Sequence, residues 1–203
     1  MSTAPITRPS LLLRLRDAED ADAWSEFVRL YTPLIFGHCR RHGLQDADAA
    51  DIAQEVMRVA ARSLPEFQYD SLRGKFRGWL LQTTRHRLHK FFDARRRAPQ
   101  AASDTAIVRL LDQEADAAEQ ACWEEDYRQR LFDWATGKAR PEFQPATWGA
   151  FWLTAVKSVA VKEVAGQLGI SVGAVYIARS RVITPLRELI ETVSDEPIAT
   201  LEN

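Results

Sequence analysis

Apolar residues recur along this chain at steps of three and four, and no stretch alternates strictly between apolar and polar. The pattern predicts an all-α fold. Ser10 is placed to cap a first helix over residues 10–16. A second helix, over residues 20–31, gathers Trp24, Phe27, Val28 and Tyr31 on one face. Pro33 either begins the next turn or kinks a continuous helix, and Leu34, Ile35 and His38 carry the apolar face on to Arg41. Gly43 is the C-cap residue. Over residues 46–63, Ala49, Ile52, Ala53, Val56, Val59 and Ala60 form a buried stripe. That leaves Asp48, Asp51, Gln54, Glu55, Arg58 and Arg62 outside.

A loop over residues 64–74 is broken by Pro65, and a basic, aromatic helix follows it. Residues 98–105 are small and polar, with Pro99 and Ser103, as a linker begins. The helical pattern returns over residues 107–135, acidic and rich in Ala. Its second part, residues 119–134, lines up Cys122, Trp123, Tyr127, Leu131 and Trp134 and is expected to join a second module. A loop over residues 137–145 leads to a helix over 146–158 that carries Trp148, Phe151, Trp152 and Val156. Residues 161–168, a break at 169–171 and a long helix over 172–193 complete the pattern. The predicted organisation is a tail (1–9), a helical domain (10–98), a flexible acidic linker (99–118), a second helical domain (119–193) and an acidic tail (194–203).

Charge changes this picture more than composition does. The net charge of the 203 residues is −1, which by itself says nothing about a polyanionic partner. Its distribution is uneven: residues 73–97 are strongly basic, whereas residues 104–126 are strongly acidic, with Arg109 as their only base. Cys39 and Cys122 lie far apart, which is no disulfide framework and points to a reducing cytosol. The N-terminus lacks a signal pattern and no run approaches a membrane span, so a cytoplasmic protein with no membrane insertion is expected.

Residues 73–97, RGKFRGWLLQTTRHRLHKFFDARRR, hold nine Arg and Lys against one acid, Asp93. Phe76, Trp79, Phe91 and Phe92 are interleaved with them. Cations for phosphates and flat rings for bases are what an unpaired nucleic-acid strand requires. Phe76, Trp79, Leu80, Thr83, Leu88 and Phe91 make an apolar stripe, and Arg77, Arg85, Arg87, Lys90 and Arg95 fall mostly elsewhere. Almost no acid stands at i+4 to compensate, so the stretch gains most from an anion laid against it.

Residues 161–181, VKEVAGQLGISVGAVYIARSR, follow the helix-turn-helix pattern. Val161, Val164 and Leu168 pack inward, Ala165 allows a close crossing, and Gly169 permits a left-handed turn. Ile170 plugs the core, Ser171 caps the second helix and Val175 anchors it. In this geometry the second helix enters the major groove N-terminus first. Ser171, Val172, Gly173, Ala174, Tyr176 and Ile177 are its exposed early positions, while Arg179 and Arg181 suit phosphates. Lys157 and Lys162 flank the first helix. Few of these side chains make bidentate base contacts, so readout by shape and backbone positioning is expected.

A strand trap and a duplex reader on one chain resemble the extracytoplasmic-function (ECF) family of RNA polymerase sigma factors, which keep regions 2 and 4. Residues 22–43, DAWSEFVRLYTPLIFGHCRRHG, resemble the opening helices of region 2. Residues 46–67, DADAADIAQEVMRVAARSLPEF, resemble its clamp-binding helix. Residues 76–97 resemble the promoter-melting and −10 helix, and residues 146–189 resemble region 4. The resemblance implies a non-enzymatic initiation factor with no cofactor. Its implied partners are polymerase core, through the beta-prime clamp and beta flap, promoter DNA and an anti-sigma factor. Asp48, Asp51, Gln54, Glu55 and Arg58 would meet the clamp. Phe67, Tyr69, Asp70, Ser71, Lys75, Trp79, Arg85, His86, His89 and Lys90 would hold melted −10 DNA, with a base flipped into the loop. Lys162, Ser171, Gly173, Ala174, Tyr176, Ile177, Arg179 and Arg181 would hold −35 duplex. The chain departs from the family at His86, where Asn is frequent, and at Tyr176 and Ala178, where bases are usual.

His38, Cys39 and His42 lie close together, and histidines at i and i+4 can bind zinc. No further ligand is evident beside them, so no metal site is expected. No glycine-rich phosphate loop or nucleophile–base pair stands out, and no catalysis is expected of the chain alone. The alternative reading is a dimeric helix-turn-helix regulator that does not associate with core polymerase. It leaves the rings and cations of residues 73–97 without a purpose. An all-α nucleic-acid enzyme would need a metal or carboxylate cluster near the basic helix.

Overall fold

The structure, a computed structural model, describes residues 11–66, 76–96 and 117–194. Every described element is helical, so the chain is all-α, as the apolar periodicity predicts. The helices are α1 (Leu11–Arg14), α2 (Ala21–Arg41), α3 (Asp46–Ser63), α4 (Phe76–Arg96), α5 (Ala117–Ala139), α6 (Pro145–Phe151), α7 (Val161–Leu168) and α8 (Val172–Val193). A π-helical turn, Trp152–Val156, follows α6. No described helix is long and apolar enough to cross a membrane. Contacts divide the described residues into two compact units, one from Leu13 to Arg130 and one from Leu131 onward.

In the unit Leu13–Arg130, α2 begins at a cap: the Asp20 carboxylate accepts from the backbone N–H of Ala23 at 2.9 Å. Arg14 reaches the same carboxylate at 2.9 Å and Glu26 at 3.3 Å, which fixes the short α1 against α2. The helix runs unbroken through Pro33 to Arg41, so of the two readings of Pro33 the continuous one holds. Gly43, at φ 84°, takes the left-handed conformation that closes it. α3 spans the residues predicted for it and buries Ala49, Ile52, Ala53, Val56 and Ala60.

The core of this unit is aromatic. The Tyr31 ring lies 4.8 Å from Phe27, 5.5 Å from Phe76 on α4 and 5.7 Å from Tyr127 on α5. Each such pair adds about 0.5–1.5 kcal/mol beyond its buried area. Trp123, also from α5, sets its ring edge-on to His38 at 5.3 Å. The first half of α5 therefore completes this unit, where the sequence pattern expected residues 119–134 to join the second module. Of the predicted stripe, Trp123, Tyr127 and Leu131 are buried and Trp134 is half-buried, but Cys122 is exposed, and the stripe changes partners along its length. Trp123 and Tyr127 are buried with α2 and α4, whereas Leu131 onward belongs to the other unit.

In the unit from Leu131, Ala135 and Ala139 of α5 pack with Phe151, Val182 and Leu186, flanked by Trp134, Phe143, Trp148 and Trp152. A neighbouring cluster joins Ala150, Val164, Ala165, Val175 and Ala178, with Leu168 and Ile170 packed against it. α5 continues past Gly137 to Ala139, where a loop was expected. The predicted helix over residues 146–158 ends instead in the π turn and in Ser158, held at φ 55°.

Candidate nucleic-acid interface

α4 is the basic helix, and its inward arc is Phe76, Leu80, Leu81, Thr84, Leu88 and Phe92. The expected stripe named Thr83 and Phe91 instead, and both are only half-buried. Adjacent rings at 91 and 92 let either arc satisfy the periodicity, and the hydroxyl of Thr84 settles inside because it donates to the Leu80 carbonyl at 2.8 Å. This rotation turns Arg77 and Arg85 inward. Arg77 is 2% exposed and donates to Glu124 at 2.8 Å, with its guanidinium 4.5 Å from the centre of the Tyr127 ring. Burial pulls its pKa down, but Glu124, Tyr127 and Tyr31 more than offset this and leave it raised. Arg85 is 4% exposed and is ion-paired to Glu119.

The structure corrects the expected DNA-facing placement of Arg85, which is buried and ion-paired to Glu119 of α5. His86 and Lys90 are exposed, one turn apart, and Trp79 and His89 are half-buried. His89 lies 3.2 Å from Asp93. Phe67, Tyr69, Asp70, Ser71 and Lys75 lie outside the described residues.

On α3, Asp51, Gln54, Glu55 and Arg58 are exposed and Asp48 is half-buried. Gln54 accepts from Arg58 at 3.2 Å. Glu55 stands 3.5 Å from Arg87 and Asp48 3.9 Å from Arg95, so this acidic face also braces α4. The compensation missing at i+4 along α4 comes from other helices.

In α7 and α8 the expected turn is present. Gly169 closes α7 at φ 65°, and the Ser171 hydroxyl accepts from the Ala174 N–H at 3.1 Å to cap α8. Val175 is buried, while Tyr176 and Ile177 are 55% and 56% exposed. Val172, Gly173, Lys162 and Arg181 are exposed; Ala174 and Arg179 are half-buried. The leading face of α8 is thus apolar and open, with its cations further along.

Residues 27–98 match the family model described as Sigma-70 region 2. The match supports a sigma factor. It runs from Phe27 in the core of α2 through α3 and α4, the helices that carry the candidate clamp and strand surfaces. A solved structure described as CnrH in complex with the cytosolic domain of CnrY is similar over 91% of this chain and 97% of that chain. Its identity is 18% and its TM-score 0.34. No curated protein matches the chain.

The region 2 segment stops short of α5, yet α5 supplies residues that the sequence reading missed. Glu119 and Glu124 hold Arg85 and Arg77, and Asp126 pairs with Arg41. Glu119 also faces two histidines of α2, with its Oε1 3.4 Å from Nε2 of His38 and 3.4 Å from Nε2 of His42. Burial first, then the charges of His42, Arg41 and Arg85, pushes the His38 imidazole down to about 3, so it is neutral at physiological pH. Burial lowers His42 too, against the pull of Glu119. The sequence showed residues 104–126 to be acidic, but not that Glu119, Glu124 and Asp126 would reach α2 and α4.

Proposed function

We propose that this chain is an alternative sigma factor of the ECF type. It binds polymerase core and directs initiation at its own promoters, without chemistry of its own. The match of residues 27–98 to Sigma-70 region 2 carries this reading. The clamp would meet the exposed face of α3 at Asp51, Gln54 and Arg58, with Asp48 and Glu55 shared between clamp and α4. Melted −10 DNA would run past His86, Lys90, Trp79 and His89, with Phe67, Tyr69, Asp70, Ser71 and Lys75 of the preceding segment as further contacts. The second unit would serve as region 4, reading −35 duplex with the capped start of α8. Tyr176 and Ile177 suit thymine methyl groups and sugar edges better than hydrogen-bonded readout. Arg179, Arg181 and Lys162 would hold phosphates. The cleft framed by Phe143, Trp148 and Trp152 offers the beta flap an apolar surface. An anti-sigma partner and a cytoplasmic setting follow from the same reading.

Core polymerase reconstituted with the full chain tests the proposal. RNA starting at defined genomic sites, only when the chain is present, supports it. A chain that fails to bind core but binds duplex as a dimer is instead a regulator. Lys90 is the clean probe of the strand surface, since it is exposed where Arg85 is not. Lys90→Ala reduces the salt dependence of promoter opening by about one counterion; an unchanged slope places the strand elsewhere.

A further inference from the structure

The node between α2 and α5 has the composition and spacing of a metal site, and its case is independent of the proposed function. His38 and His42 stand one turn apart at the end of α2, and Glu119 comes to them from α5. Their donor atoms lie within 4.8 Å of one another. Zinc bonds of about 2.0–2.2 Å put neighbouring donors of a tetrahedron about 3.3–3.6 Å apart. Glu119 Oε1 is 3.4 Å from each Nε2, on that edge length. A hydrogen bond would draw such a pair to about 2.9 Å. His38 Nε2 is buried and makes no hydrogen bond, although the residue is only 2% exposed. A buried imidazole nitrogen left this way costs stability unless something binds it.

Two arginines border the node, and each is ion-paired to a carboxylate of α5. His38 and His42 stand in and just past the last turn of α2, at the negative end of its dipole. Arg85 occupies the other carboxylate oxygen, Oε2, and so orients Glu119 with Oε1 toward the histidines. Arg41, whose charge also bears on the node, is drawn off by Asp126.

We propose that His38, His42 and Glu119 bind one divalent transition metal of the zinc class, with water at the fourth position. The metal would pin the start of α5 to the end of α2. The site escaped the sequence reading because its third ligand lies beyond the linker.

The test uses the full chain without an affinity tag, stripped with chelator and titrated with cobalt(II), then zinc(II). The expected result is one equivalent of cobalt with visible ligand-field bands, displaced by zinc, and a zinc-dependent rise in the urea midpoint. His42→Ala and Glu119→Gln each weaken binding by at least about tenfold and abolish that rise. His42 is 23% exposed on its side chain, so its truncation is tolerated. Should it fail to fold by circular dichroism, His42→Gln replaces it. The chain has only four histidines. The His86→Gln/His89→Gln double variant therefore binds cobalt as wild type does. Binding that is absent in wild type, unchanged in Glu119→Gln, or lost with His86 and His89 overturns the proposal.

Discussion

Arg85 sits 4% exposed with Glu119 as its counter-charge, and a buried cation is only as secure as that partner. Removing Arg85 takes the counter-charge away from the half-buried Glu119 carboxylate. Because Glu119 keeps 20% of its side chain in water, the loss falls near the low end for broken buried pairs. Arg85→Ala is expected to destabilise the chain by about 3 kcal/mol in urea unfolding. A shift within about 0.5 kcal/mol, ordinary for a surface site, would mean that the pair contributes little. Any DNA-binding defect in this variant must therefore be separated from unfolding. The thiols differ in the same way. Cys39 is fully buried, and burial pushes its pKa up to about 12, while Cys122 is exposed. A thiol reagent should modify Cys122 alone in the native chain and both cysteines in denaturant. Rapid native modification of Cys39 would show that the end of α2 opens readily.

At the scale of elements, α8 depends on its first turn. The Ser171 hydroxyl satisfies the Ala174 N–H, one of the donors that a helix start leaves unpaired. Ser171→Ala should cost about 1 kcal/mol, read as a lower urea midpoint for the unfolding of this unit. An unchanged midpoint would mean that water caps the helix equally well. This turn and cap were legible in the sequence because their constraints are local: Gly169, Ser171 and Val175 sit at fixed offsets in one short stretch. α3 was legible for a similar reason, as its alanines and valines leave one apolar arc. α4 was legible as a helix but not in its facing. Phe91 and Phe92 fit two arcs, and charge along a single helix cannot reveal that Arg77 and Arg85 meet acids on α5. The node of His38, His42 and Glu119 was hidden for the same reason, since its parts meet only in the tertiary fold.

At the scale of the molecule, α3 stands between two demands. Its acids face outward, where the proposed function sets the polymerase clamp, and they also restrain α4, which carries the proposed strand surface. Asp48 and Glu55 serve both, being 3.9 Å from Arg95 and 3.5 Å from Arg87. Changing either would loosen the basic helix and blur the result. Asp51 lies between them on the same face and is exposed. A charge reversal there places a cation against a basic partner without disturbing the α3–α4 ion pairs. Asp51→Arg is therefore expected to abolish co-elution with core polymerase, and with it transcription. Its urea midpoint should stay within about 0.5 kcal/mol of wild type, as for a surface substitution. Normal association by a folded Asp51→Arg chain would remove the clamp from this face. The region 2 match would then have to engage the enzyme through another surface.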